Sequence, residues 1–168
     1  VNSTKKMKKV FYLLTTFILL IYVESCTGYK PIFSSPNLEF KITDYSISGN
    51  KELGNQIYSK LYSLSRSTKN TLETKNIYIL INASQNKNAT AKSSSGKILG
   101  YRINLSSTIT IKDSMTENEI LNDTFSFSST YKVQDQFSET IKLENQTIKN
   151  LIEKTYQDLL IKLSENLL

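Results

Sequence analysis

The stretch "YRINLSSTITI", residues 101–111, decides how the rest of the chain is read. Tyr101, Ile103, Leu105, Ile109 and Ile111 stand at alternate positions, with Arg102, Asn104, Ser106, Thr108 and Thr110 between them. Successive side chains of a strand leave opposite faces, so the pattern predicts a strand with one face hidden and one wet. Downstream, "KDSMTENE" (112–119) predicts a turn, and Phe125, Phe127, Tyr131 and Val133 continue the alternation as another strand. Upstream, Ile77, Ile79, Ile81 and Ala83 face one way while Tyr78 and Leu80 face the other, a strand buried on much of both sides. Between these strands lies "SQNKNATAKSSSGK" (84–97), poor in apolar and rich in small polar residues, which predicts a long mobile hairpin tip. An earlier strand is predicted where Leu38, Phe40 and Ile42 alternate with Glu39, Lys41 and Thr43.

Two segments carry the helical period instead. After Ser48, Gly49 and Asn50, the spacing of Leu53, Ile57, Leu61 and Leu64, with Tyr58 and Tyr62 beside them, predicts a helix over 50–65. A polar connection, "RSTKNTLETK" (66–75), follows it. In the last third, Ile141, Ile148, Leu151, Ile152, Tyr156, Leu159, Leu160, Leu163 and Leu167 form a stripe predicting a long helix over 138–166. Lys142, Glu144, Lys149, Glu153, Lys154, Asp158, Lys162 and Glu165 should form its solvated side. The order is β-α-β-β-β-α. The economical fold class is α+β, a single domain over 38–168 with two helices packed on one face of a four-stranded, mostly antiparallel sheet. Strand order stays open, because alternation reports facing and not neighbours. The uncovered face, with Tyr78, Arg102, Ser106 and Thr108, should be polar and available.

Ahead of this domain, Lys5, Lys6, Lys8 and Lys9 precede an apolar run over 10–23, broken only by Thr15 and Thr16. Its 14 residues fall short of the roughly 20 that cross a bilayer, and Ser25 offers a small residue for cleavage, so residues 1–25 are expected to be a secretory signal. The only cysteine, Cys26, comes next. Val23 at minus three and Ser25 at minus one suit the bacterial lipoprotein pattern, although Glu24 at minus two is atypical. Cys26 is therefore expected to carry a thioether-linked diacylglycerol and an N-acyl chain, each buried methylene adding about 0.8 kcal/mol of membrane affinity. A lone cysteine cannot form a disulfide within the chain, so the fold must stand on its core. Residues 26–37, with both prolines, should be an extended tether. Residues 1–25 hold 4 of the 21 basic and 1 of the 15 acidic residues, which leaves 17 and 14 and a net charge of +3. That excess shows no concentrated stripe of the kind nucleic-acid binders carry, and no nucleic-acid partner is expected.

Histidine is absent, which removes the usual general base, every Ser-His or Cys-His dyad and the commonest transition-metal ligand. No catalytic residue, metal site or phosphate loop is expected. Asp113, Glu117, Glu119 and Asp123 gather around one turn, where a solvated hairpin places charge anyway. Lys87, Lys92 and Lys97, followed by Arg102, form the one basic cluster near a sheet edge.

The segment "CTGYKPIF" (26–33) resembles the mature start of LPS-assembly lipoproteins of the LptE family, where the acylated cysteine precedes Gly-aromatic-x-Pro-aliphatic-aromatic. Here those residues are Cys26, Gly28, Tyr29, Pro31, Ile32 and Phe33, with Thr27 as an extra residue against the commonest spacing. The order of elements is similar as well. The resemblance implies an outer-membrane lipoprotein, anchored on the periplasmic side, that plugs the large LptD barrel, assists its folding and helps deliver lipopolysaccharide. It makes Lys87, Lys92, Lys97 and Arg102 candidates for contact with lipid A phosphates or sugar acids. Two rival readings stand beside it: an auxiliary lipoprotein of an ABC or tunnel-type lipid transporter, and a lipid-anchored hydrolase using Glu117, Glu119 and Asp123.

Overall fold

The computed structural model describes residues 38–67 and 74–167. The expected signal, Cys26 and the tether lie outside the described residues. Six elements follow in the predicted order: β1 (Phe40–Gly49), α1 (Lys51–Ser67), β2 (Lys75–Lys92), β3 (Ile98–Asp113), β4 (Glu119–Lys132) and α2 (Phe137–Leu167). The strands lie in sequence order, with β1 parallel to β2 and the other neighbours antiparallel. Leu53, Ile57 and Leu61 of α1 and Leu151, Leu159 and Leu163 of α2 share one buried cluster with Ile79, Ile81, Ile103, Leu105 and Ile109. Both helices thus cover one face of the sheet, as the α+β reading requires.

Local chemistry sets the first crossover. Gly49 adopts a φ of 71°, and a Cβ there would meet the Ala83 carbonyl oxygen, so only glycine lets β1 end so close to β2. Asn50 then caps α1, its Oδ1 accepting the Leu53 N–H at 3.2 Å, and its own N–H donates to the Ala83 carbonyl at 2.7 Å. Within β1 the register slips between Ile42 and Asp44. Phe40 and Ile42 face the helices before this bulge; Tyr45 and Ile47 do so after it, with Tyr45 stacked on Tyr58 of α1 at 3.9 Å. The bulged Thr43 donates its hydroxyl to the Ile77 carbonyl at 3.0 Å.

Three expectations are corrected. The long hairpin tip over 84–97 is mostly strand: β2 pairs with β3 from Gln85↔Leu105 to Lys92↔Ile98, leaving only a short turn. Ser93 N–H donates to the Lys97 carbonyl at 2.8 Å and Gly96 N–H to the Ser93 carbonyl at 3.0 Å, closing that turn. A ladder is held by backbone groups, so a segment polar on both faces can be a strand without showing apolar alternation. In α2, the stripe toward the sheet begins with Thr140, Glu144 and Thr147, not Ile141, which is 37% exposed. Thr147 and Thr155 enter that stripe by donating their hydroxyls to the carbonyls of Leu143 and Leu151 at 2.7 and 3.0 Å. Glu144, expected on the solvated side, is turned toward the sheet, where a lysine and a tyrosine meet it.

Candidate interaction surfaces

Beyond Ala83, β2, β3 and β4 run on past the end of β1, and the apolar core thins. Polar and aromatic groups replace it. Lys87 on β2 lies 2.6 Å from Glu144 Oε2 on α2, and Tyr131 on β4 donates its hydroxyl to the same oxygen at 2.9 Å. The ammonium also sits 4.4 Å from the ring centre of Tyr101 on β3, whose ring stacks on Tyr131 at 5.7 Å. Burial pushes the Glu144 carboxyl up, but the Lys87 and Tyr131 hydrogen bonds outweigh it and hold the carboxyl below its usual range. Burial lowers Lys87, and Glu144 and Tyr131 together more than reverse this, leaving the ammonium harder to deprotonate than usual. Lys87 therefore serves an internal clasp across three strands and a helix.

The other three basic candidates are placed differently. Lys92 ends β2, Lys97 closes the turn, and Arg102 lies on the face away from the helices, between Asn88 and Thr130. Among the described residues none of the three is in an ion pair. Of the four basic candidates, Lys92, Lys97 and Arg102 carry charge that no ion pair among the described residues matches, whereas Lys87 is bonded to Glu144.

That outward sheet face carries cross-strand rows of hydroxyls and amides. Ser106 and Ser126 are bonded at 2.9 Å, Thr108 and Thr124 at 2.9 Å, and Thr110 donates to Asn122 at 3.2 Å. Each row joins residues directly paired in the β3–β4 register. The result is a broad surface able to exchange hydrogen bonds with water or with a polar wall. On the helix side, a groove of about 1010 Å³ opens between α1 and α2, floored by Leu53, Ile148 and Ile152 and bordered by Gln56, Gln85 and Lys149. Neither feature was legible as a site. The alternation predicted a polar face, but the groove depends on how two helices diverge.

The acidic group does not converge. Asp113 Oδ1 accepts the backbone N–H groups of Met115 and Thr116 at 2.8 and 2.9 Å, which hold its carboxyl below the usual range. Glu119 accepts from Asn122 at 3.3 Å on the outward face, whereas Asp123 stands opposite Ile109 on the helix side. Among the described residues no cluster of acidic or sulfur side chains could hold a metal ion, and no helix is long and apolar enough to cross a membrane.

No protein-family model and no curated protein matches this sequence. Solved structures do match. Rare lipoprotein B from Shewanella oneidensis superposes with a TM-score of 0.50 at 11% identity, over 73% of this chain and 94% of its own. The fold is shared with solved bacterial lipoproteins. A minor lipoprotein from Acinetobacter baumannii gives a TM-score of 0.53 at 14% identity, over 77% of this chain and 92% of its own. Lipoprotein B from Nitrosomonas europaea gives 0.53 at 14% identity, over 77% and 83%. At such identities the likeness is one of fold.

Proposed function

We propose that this protein is an outer-membrane lipoprotein, acylated on Cys26, that seats in an LptD-like β-barrel, assists the barrel's folding and takes part in placing lipopolysaccharide at the cell surface. The observation that carries the reading is the two-faced sheet. One face is buried under both helices; the other offers paired hydroxyls and amides to its surroundings. Large outer-membrane barrels have polar lumens, and a body coated in Ser, Thr and Asn can sit in one without burying an unsatisfied apolar patch. The shared fold with rare lipoprotein B and the minor lipoprotein supports the same reading, as does the CTGYKPIF segment. In this reading Lys92, Lys97 and Arg102 meet anionic groups of lipopolysaccharide at the tip, Lys87 orders the strands that carry them, and the protein binds without transforming its ligand.

The test is co-purification from solubilised outer membranes, with mass spectrometry of the companion and of the N-terminal peptide. Recovery of one large β-barrel in equal amount, with acyl chains on Cys26, is the expected result. Inner-membrane permease or tunnel subunits as companions would favour the auxiliary lipoprotein of a lipid transporter, and an unmodified thiol would remove the anchor from the reading.

A further inference from the structure

Among the described residues, the sheet has an edge that no strand covers. β1 ends at the pair Gly49↔Ala83, and the chain turns away into α1, so β2 from residue 84 on has no strand beside it on that side among the described residues. The direction of its backbone groups follows from bonds already made. On the β1 side, the Ile77 carbonyl accepts from Thr43 and the Ala83 carbonyl from Asn50, while the Asn76 carbonyl accepts from Ser114 near β3. Odd-numbered residues of β2 therefore point N–H and C=O toward β1, and Gln85, Lys87 and Ala89 point theirs at the open edge.

Edges of this kind are normally defended by unpaired or inward-pointing charge. β4, the opposite edge strand, has Asp123 on its helix-facing side. Along residues 84–91 the only charge is Lys87, and its ammonium is withdrawn into the bond with Glu144. The register shifts at Ala89 and Ala91 spoil regular pairing only at the far end. Next to this edge lies the groove floored by Leu53, Ile148 and Ile152, and Gln85 belongs to both. A strand laid against residues 84–89 would point alternate side chains onto that floor.

We infer that the β2 edge over residues 84–89 receives an extended segment of a partner polypeptide, added as a fifth strand with apolar side chains at alternate positions in the groove. The row of backbone donors and acceptors selects a strand over a lipid chain or a sugar, because only a second backbone repeats at the same spacing. β1 begins at Phe40, paired with Lys75, eight register pairs before Gly49↔Ala83. The inference goes beyond the proposed function, since the edge exists whatever barrel or transporter the protein serves.

The full-length protein is expressed in its envelope with a photoreactive benzoylphenylalanine at Asn86 or at Asn88, and the adducts are mapped by mass spectrometry. The expected result is that the two positions label residues two apart in one segment of one polypeptide. Gln85→Pro and Ala89→Pro remove outward N–H groups while sparing the β2–β3 ladder, so they should cut the adduct yield at least about tenfold with unchanged helical content. Scattered adducts, adducts only to residues 26–37 of the same chain, no adduct, or proline variants that label normally would each overturn the inference. A companion barrel recovered in full with any of those outcomes leaves the proposed function standing; strand-register adducts to some other protein do the reverse.

Discussion

The Lys87 ammonium lies 2.6 Å from Glu144 Oε2, tying the part of β2 that outruns the apolar core to the helix above it. Tyr131 bonds the same oxygen, and Glu144 keeps only 15% of its side chain exposed. Glu144→Ala would strand a lysine and a tyrosine hydroxyl in a half-buried site and should cost about 2 kcal/mol in urea unfolding. The double change Lys87→Met with Glu144→Leu should recover part of that loss, because an apolar pair leaves no charge unmatched.

The same clasp predicts a pH dependence. The Glu144 carboxyl is held below its usual 4.5 in the folded state. Its stabilisation is therefore complete above that value and is lost as pH falls through the lower folded value. Melting temperatures of the wild type and Glu144→Gln, compared from about pH 6 to about pH 3, should converge as pH falls. Parallel curves would show that the carboxylate contributes nothing.

Ser107 sits in the middle of the buried stripe of β3, fully buried, and its hydroxyl has no hydrogen-bond partner among the described residues. Ser107→Ala removes an unmet polar group and should raise stability by about 1 kcal/mol. A loss of similar size would reveal a partner for the hydroxyl.

The two left-handed glycines should respond unequally to alanine. Gly96 has open space around its missing Cβ and should lose only about 1 kcal/mol from backbone strain. Gly49 abuts the Ala83 carbonyl and should lose at least about 3 kcal/mol, with the Asn50 cap disturbed as well. Thermal unfolding of the two variants side by side is the check.

The tip lysines separate binding from folding. The triple change Lys92→Gln, Lys97→Gln and Arg102→Gln should weaken binding of purified lipopolysaccharide several-fold with an unchanged melting temperature, since none of the three is ion-paired among the described residues. Lys87→Gln should instead lower the melting temperature. Equal binding by the triple variant and the wild type would remove these residues from the ligand site.

Alternation over 101–111 and the helical period after residue 138 determined the element order, the α+β class and the polar character of one sheet face, because burial on one side writes its period directly into the side chains. Gly49 and Asn50 marked the start of α1 for the same local reason: a left-handed turn and a cap need particular residues. Residues 84–92 defeated the reading, since their strand is held by backbone bonds to β3 and carries no apolar signature. Ile141 and Glu144 defeated it too. A 31-residue helix crosses several surroundings, and which of its faces meets the sheet depends on what lies below each turn. Only the tertiary structure decided that β1 joins β2 in parallel and stops at Ala83, that Lys87 turns inward to Glu144, and that β2 past Ala83, with no strand beside it among the described residues, lies next to a groove. Those outcomes depend on contacts between residues far apart in the chain, which no local periodicity records.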